Sequence, residues 1–407
     1  MILTQLPAEF EAARPILETI EAAGYEAYFV GGCVRDTILG KPLHDVDIAT
    51  SAFPAEVKGL FKRTVDTGIE HGTVMILDHG NGYETTTFRT ESGYQDFRRP
   101  DQVTFVRSLK EDLKRRDFTI NALAMKTSGE VIDLFNGLAD LQAGVLRAVG
   151  VAEDRFHEDA LRMMRAVRFA SQLDFAIEPA TLQAVTDNAP LLSKIAVERI
   201  RVEWEKLLMG QTPTRGLQAL LTTKLYRYMP QMADQRPAFE RLLARPTWHL
   251  TSVESTWTLL TWLTGAQTSP AIRQQLKAWK TSNELITHVV AANLAVTALK
   301  AHGQLSAREN FDTGAAALTT ANQVATILGF GQSQAQLDAA YAAVPIHDKH
   351  DLAINGGDLL KQRLVTPGPV MGTVLAECLA AVITGQVANQ KDELLDLARM
   401  VADTKNN

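Results

Sequence analysis

The feature that most limits how this chain can fold is a change of pattern near residue 145. Before it, short apolar runs of strand length (27–30, 45–49, 73–78, 83–89 and 103–106) are each bounded by Gly, Pro, Asn or Asp. Residues 8–23 read as an amphipathic helix with Phe10, Ile16, Leu17 and Ile20 on one side, and 113–124 reads as a second helix. The polar, Gly/Pro-punctuated stretch 91–101 reads as a long functional loop rather than an element. From about 155 onwards nearly every segment has helical period, with breaks near 210–213, 244–246, Gly303 and 367–369. A chain of 407 residues is too long for one core. The expected fold class is therefore α+β: a small head of mixed sheet and helices, followed by an elongated all-α remainder.

Net charge of −6 argues against indiscriminate nucleic-acid binding. Basic residues nevertheless bunch at Lys110, Lys114, Arg115 and Arg116 and again from Arg155 to Arg168, which leaves room for a shaped, specific RNA site. No window holds eighteen uninterrupted apolar residues, so no membrane span or membrane partner is expected. The N-terminus lacks a basic segment and a long apolar core, so no signal peptide is expected. The two cysteines, Cys33 and Cys378, belong to no metal-ligand spacing, and a reducing cytoplasm is the expected location.

The chemistry concentrates in a few short runs. Gly31-Gly32 follows the apolar Ala27-Tyr28-Phe29-Val30, where the backbone can turn tightly and approach a phosphate; Arg35 adds a cationic fork beside it. In extended chain Asp45 and Asp47 point the same way, and two convergent carboxylates next to a phosphate cradle suit Mg²⁺-nucleotide chemistry. Glu84, alternating with Thr86 and Phe88, is a third candidate carboxylate; taken alone each of these acids reads as a solvated strand residue. In Arg115-Arg116-Asp117-Phe118-Thr119-Ile120-Asn121, Arg116 is a candidate triphosphate clamp, with Asp117 or Asn121 ordering the head; helix capping is the plainer alternative.

Asp159, Arg162 and Arg165 are spaced by three, as on one side of a helix, and Arg168 continues the row. A salt-bridged helix surface would look the same. Hydrogen-bond chemistry offers a sharper reading. An ionised Asp only accepts and an Arg only donates, which together match an exocyclic amine beside a ring-nitrogen acceptor. Cytosine and adenine present that pair, whereas uracil and guanine do not.

Together these motifs resemble the bacterial class II tRNA nucleotidyltransferases, the CCA-adding branch. The likeness runs over residues 27–208, through GGCVRDTILG, DVDIAT, TGIEHGTV, YETTTFRTE, RRDFTINALAM, DLFNG, EDALRMMRAVRF and ERIRVEWEKLL. It implies a polymerase-β-type catalytic head (1–144), a base-recognising helical neck (145–212), a helical body (213–305) and a tRNA-binding tail (306–407). Asp45 and Asp47 then match metal ligands, with Glu84 as the third catalytic carboxylate. Gly32, Arg35 and Arg116 match positions holding the nucleotide's phosphates and sugar. Asp159 and Arg162 match the base-reading pair, with Arg165 and Arg168 lining the same pocket. Asp133 and Gly137 fall on the hinge between head and neck, and 351–359 with 367–369 resembles the tail that supports the tRNA elbow. The implied reaction builds the 3′-terminal CCA of tRNA from CTP and ATP without a template. The tRNA 3′-hydroxyl attacks the nucleotide α-phosphate with Mg²⁺ as cofactor, and pyrophosphate leaves. The implied partners are the tRNA acceptor stem and elbow; the oligomeric state is open, a homodimer among the options.

Three rivals compete. A bacterial poly(A) polymerase shares the head, but the Asp159/Arg162 pair and the 67–74 stretch favour the CCA type. A CC-only enzyme lacks part of the loop after the Glu84 strand, which here runs full length from Arg89 to Pro100. A non-catalytic RNA-binding scaffold would not need carboxylates at 45, 47 and 84. A P-loop NTPase is excluded because GxxxxGK[ST] is absent.

Overall fold

The computed structural model describes residues 1–43, 45–95, 99–245 and 248–406. The chain divides into two compact units, Met1–Phe239 and Glu240–Asn407.

In the first unit, helix α1 (Ala8–Ala22) buries Phe10, Ala13, Ile16, Leu17 and Ile20, the i, i+3, i+4 stripe, with Glu9 and Glu11 complementing the dipole of its first turn. It packs on strand β1 (Ala27–Val30), with Phe10 edge-on to Phe29 at 4.6 Å. β1 leads into helix α2 (Gly32–Ile38). Strand β2 (Ile48–Thr50) is followed by helix α3 (Pro54–Leu60), then β3 (Thr64–Gly68), β4 (Thr73–Asp78) and β5 (Asn81–Thr87). Strands β6 (Arg89–Gln95) and β7 (Arg99–Phe105), helix α4 (Leu109–Lys114), and strands β8 (Leu123–Met125) and β9 (Val131–Asp133) complete the head.

The main sheet runs β3-β4-β5-β2-β1-β8-β9. Only β2 and β5 pair in parallel, with Ile48 opposite Thr85, so the chain must cross over between them; α3 and the β3–β4 hairpin make that crossover. β1 lies inside the sheet between β2 and β8, and its Phe29 and Val30 are buried on opposite faces. Val30, Ala49, Phe88, Leu113, Ala122 and Ala124 form the core on the face away from α1.

Two expectations fail here. Residues 91–101 are not a loop: β6 and β7 form a two-stranded antiparallel hairpin, with Gln95 opposite Arg99 and the tip 96–98 outside the described residues. Residues 113–124 are not one helix: α4 stops at Lys114, a 3₁₀ turn covers Thr119–Asn121, and β8 joins the sheet beside β1. Pairing across the sheet overrides the local helical pattern there.

Beyond helix α5 (Gly137–Ala143) the unit is almost wholly helical: α6 (Ala152–Glu158), α7 (Leu161–Leu173), α8 (Pro179–Asn188), α9 (Val197–Leu208) and α10 (Pro213–Thr222). α7 is buried on nearly every side and packs against α9 and α10; Ser171 Oγ donates to Leu207 O at 2.6 Å.

The second unit is helical throughout its described residues, as the periodicity predicts. One core holds Trp257 and Trp279, edge to face at 5.2 Å. A second gathers Ile354, Leu359, Val374, Cys378, Val382 and Leu394. Helix Asn283–His302 is long and apolar enough to cross a membrane by composition, but its Ile286, Val289, Val296 and Leu299 are buried in protein.

Candidate active site

The end of β1 sets the geometry. Val30 N donates to Asp47 O (3.0 Å) and Gly31 N to Leu123 O (3.1 Å), so the segment before β2 and the start of β8 are both tied to the glycine turn. Gly31 has φ 76° and ψ −129°, a conformation open only to glycine. A Cβ on Gly31 would lie 2.7 Å from Arg116 Nη1, whereas one on Gly32 would make ordinary contact, 3.6 Å from Arg35 Nη2. Close approach is thus demanded at Gly31 more than at Gly32.

Asp45 and Asp47 lie in extended chain just before β2 rather than within a strand. The alternation still holds, with Val46 and Ile48 buried, Asp45 exposed and Asp47 half-buried. The β2–β5 register brings Glu84 alongside Asp47. Burial, then Asp45, then Glu84 push the Asp47 carboxyl up to about 6, against the pull of Arg116. Among the described residues no three His, Cys, Asp or Glu side chains close into a metal cage. The raised Asp47 carboxyl with Asp45 beside it nonetheless fits a divalent cation such as Mg²⁺. That ion is typically held by one or two carboxylates together with substrate phosphates and water.

Asp45 and Asp47 form a wall between two cavities. The larger, about 670 Å³, also holds Gly32, Arg35, Arg116, Asp159, Arg162, Arg165 and Arg168. The smaller, about 570 Å³, lies toward α1, Tyr83 and Glu84. Every candidate site residue except Glu84 therefore lines the larger cavity, and Glu84 lines the smaller.

A buried polar chain organises the larger cavity. Arg35, 8% exposed, donates bidentately to Asp36 (2.9 and 2.8 Å) and to Asn121 Oδ1 (2.5 Å). Asn121 Nδ2 donates to Asp117 Oδ1 (3.0 Å), and Arg165 Nε to Asp117 Oδ2 (2.6 Å). Burial alone would raise the Asp117 carboxyl. Arg165, Asn121 and Arg162 outweigh it and hold the group well below the usual carboxylate range. Arg168 pairs with Glu203 of α9 (Nε–Oε2 2.9 Å), yet burial lowers its guanidinium to about 10. Phe169 carries three cations near its ring: Arg168 at 4.0 Å, Arg35 at 5.1 Å and Arg165 at 5.3 Å. Arg116 reaches Asp112 and Asn121 O only at 3.3 and 3.4 Å, and among the described residues its buried Nε has no hydrogen-bond partner. Its unused N–H groups are donors that could receive an anion.

The helical placement of Asp159 needs correction. α6 ends at Glu158 and α7 begins at Leu161; Asp159 sits in the break with φ −142° and ψ 105°. Its Oδ1 accepts from Leu161 N (3.0 Å), which points the carboxylate into the cavity beside Arg162 rather than along a helix face. Arg162 N donates to Asp159 O (3.0 Å), but their side chains do not bond each other. Arg162 donates to Glu158 (2.6 Å) and Arg115 O (2.8 Å), and Asp159 accepts from Arg199 of α9 (2.7 Å). Motif reading assigned no role to Arg199, Glu203 or Lys206. Their i, i+4, i+7 spacing within ERIRVEWEKLL was the available signal, and all three reach this cavity or its lining arginines. Asp133 caps α5, accepting from Gly137 N (2.8 Å) and Leu138 N (2.9 Å).

Residues 27–147 match the family described as poly A polymerase head domain. Residues 174–236 match a probable RNA- and SrmB-binding site of polymerase A, and 248–398 a putative tRNA nucleotidyltransferase domain 2. The chain is 78% identical over 406 residues to the CCA-adding enzyme of Lactiplantibacillus plantarum, covering 100% of both. It is 57% identical to that of Limosilactobacillus reuteri, covering 97% of this chain and 98% of the relative. The solved Bacillus stearothermophilus CCA-adding enzyme in complex with CTP superposes with a TM-score of 0.88 at 39% identity, covering 98% of this chain and 99% of that one. The chain belongs to the CCA-adding enzymes, the tRNA nucleotidyltransferases built on a polymerase-β-type head.

Proposed function

We propose that this protein adds the 3′-terminal CCA to tRNA from CTP and ATP. The observation that carries the reading is the convergence of two metal-suited carboxylates, the arginine cluster and the Asp159/Arg162 pair on one 670 Å³ cavity. In this reading 1–144 is the catalytic head, 145–212 the base-recognising neck, 213–305 the body and 306–407 the tRNA-binding tail.

Arg116, with its unpartnered Nε, and Arg35 bind the triphosphate, while Arg165 and Arg168 extend the cationic wall along α7. Glycine at 31 lets the backbone approach the phosphates. Asp159 accepts from the exocyclic amine of cytosine or adenine. Arg162, whose guanidinium retains N–H groups beyond its three bonds, donates to the neighbouring ring nitrogen. UTP and GTP would set a carbonyl against Asp159, leaving buried polar groups unpaired at roughly 1–3 kcal/mol each. The tRNA 3′-oxygen attacks the α-phosphorus in line, and pyrophosphate departs. Asp45 and Asp47 would hold Mg²⁺, with Glu84 as the third carboxylate on the side of the smaller cavity. Bound there, Mg²⁺ supplies Lewis-acid stabilisation of the charge at the reacting oxygens.

The deciding experiment offers the protein a tRNA ending at its discriminator base with CTP, ATP or both, and sequences the 3′ ends. Ends in CCA only when both are present support the reading; runs of A, or arrest at CC with both nucleotides present, sink it.

A further inference from the structure

We infer that Arg199 is a positioning residue for base selection, fixing the Asp159 carboxylate so that a single acceptor position faces the incoming base. The inference rests on the base-reading role proposed for Asp159. Asp159 lies outside both α6 and α7, so no helix fixes its side chain. Two contacts do. Leu161 N donates to Oδ1 at 3.0 Å, and Arg199 spans both oxygens, Nη2 to Oδ2 at 2.7 Å and Nη1 to Oδ1 at 3.4 Å. Oδ1 thereby receives two donors and Oδ2 one. Each carboxylate oxygen has about two acceptor positions, so the remaining one is on Oδ2.

A carboxylate held in this way can meet one N–H group and offers none in return. That is the requirement for taking an exocyclic amine and refusing a carbonyl. Arg199 comes from α9, forty positions along the chain, and its fork suits both oxygens at once, as a lysine's point charge would not. α9 is itself anchored by buried Ile200, Trp204 and Leu207, so the donor that fixes Asp159 stands on a packed element. Removing Arg199 would leave only the Leu161 contact, freeing the carboxylate to rotate about its terminal torsion.

The test compares wild type with Arg199→Ala, Arg199→Lys and Asp159→Ala. It measures kcat and KM for CTP against UTP, and equilibrium binding of both nucleotides without tRNA. Removing Arg199 is expected to lower CTP/UTP discrimination at least ten-fold. The change should lie chiefly in KM and be matched in binding, with Arg199→Lys intermediate. If the alanine variant does not fold, the lysine variant decides. If Asp159→Ala relaxes discrimination while the Arg199 variants keep it and lose activity equally on every nucleotide, Arg199 is only structural and the inference is overturned. If Asp159→Ala also keeps full discrimination, the base-reading assignment fails and the inference falls with it.

Discussion

Replacing Gly31 by alanine tests the phosphate turn most directly, because the damage has two separable parts. An alanine at φ 76°, ψ −129° bears backbone strain of about 1–3 kcal/mol. At about 2–4 °C per kcal/mol for a unit of this size, the melting temperature should fall by roughly 2–12 °C. The new Cβ also meets Arg116 Nη1 at 2.7 Å and displaces a guanidinium held only by contacts of 3.3 and 3.4 Å. Losing one charged hydrogen bond to a phosphate is worth about 1.5–3 kcal/mol, which raises KM for CTP roughly 10- to 150-fold. Gly32→Ala is the control. Its Cβ makes ordinary contact at 3.6 Å and its backbone is helical, so the melting temperature should not fall. Differential scanning fluorimetry and steady-state CTP kinetics read the two parts. A Gly31→Ala protein with wild-type melting and KM, or a Gly32→Ala protein that melts lower than it, would refute the reasoning.

Asp45→Ala and Asp47→Ala should each reduce incorporation below a few per cent with unchanged thermal melting; clearly higher residual turnover in either variant contradicts the metal assignment. Asp117→Asn should cost about 3 kcal/mol at neutral pH, because it leaves Arg165 without its partner. Since the Asp117 carboxyl is held below its ordinary value of 3.8, its contribution is complete above about pH 4 and is lost as pH falls towards the lowered value. The gap between wild type and variant in urea denaturation should therefore close below pH 4, and a gap that widens there would reverse the sign. Cys33 lines the larger cavity, but burial pushes its thiol up to about 12. Native protein should resist iodoacetamide at pH 8 until denatured, as read by intact mass, and rapid labelling would show the thiol to be accessible.

The division into a mixed head and a helical remainder was legible because period-2 and period-3.6 patterns do not overlap over long stretches. Asp45 and Asp47 could be paired from alternation alone, which survives in extended chain whether or not a strand forms. Residues 113–124 were misread because Leu123–Met125 is a three-residue strand, too short to show a period, and its identity comes from pairing with Phe29 and Val30. The 91–101 hairpin was hidden by polar, Gly/Pro-rich composition, since its two strands pair mainly with each other rather than covering a core. Asp159 was placed on a helix because three-residue spacing cannot reveal a break between two helices. Arg199 and Glu203 were missed for a different reason: their partners, Asp159 and Arg168, lie 40 and 35 positions earlier.

Phe169 acts as a shared splint. Each long arginine side chain carries about 2 kcal/mol of rotamer entropy, and those of Arg35, Arg165 and Arg168 are ordered around one ring before any substrate arrives. Their freedom is surrendered on folding, so the triphosphate of the proposed reaction would meet a stiff surface and lose little affinity to ordering it. Arg35 comes from α2 and the other two from α7, which makes the ring a mechanical joint between two stretches of chain far apart in sequence. A change at this uncharged position would loosen three cations together, an effect that no arginine substitution could reproduce singly.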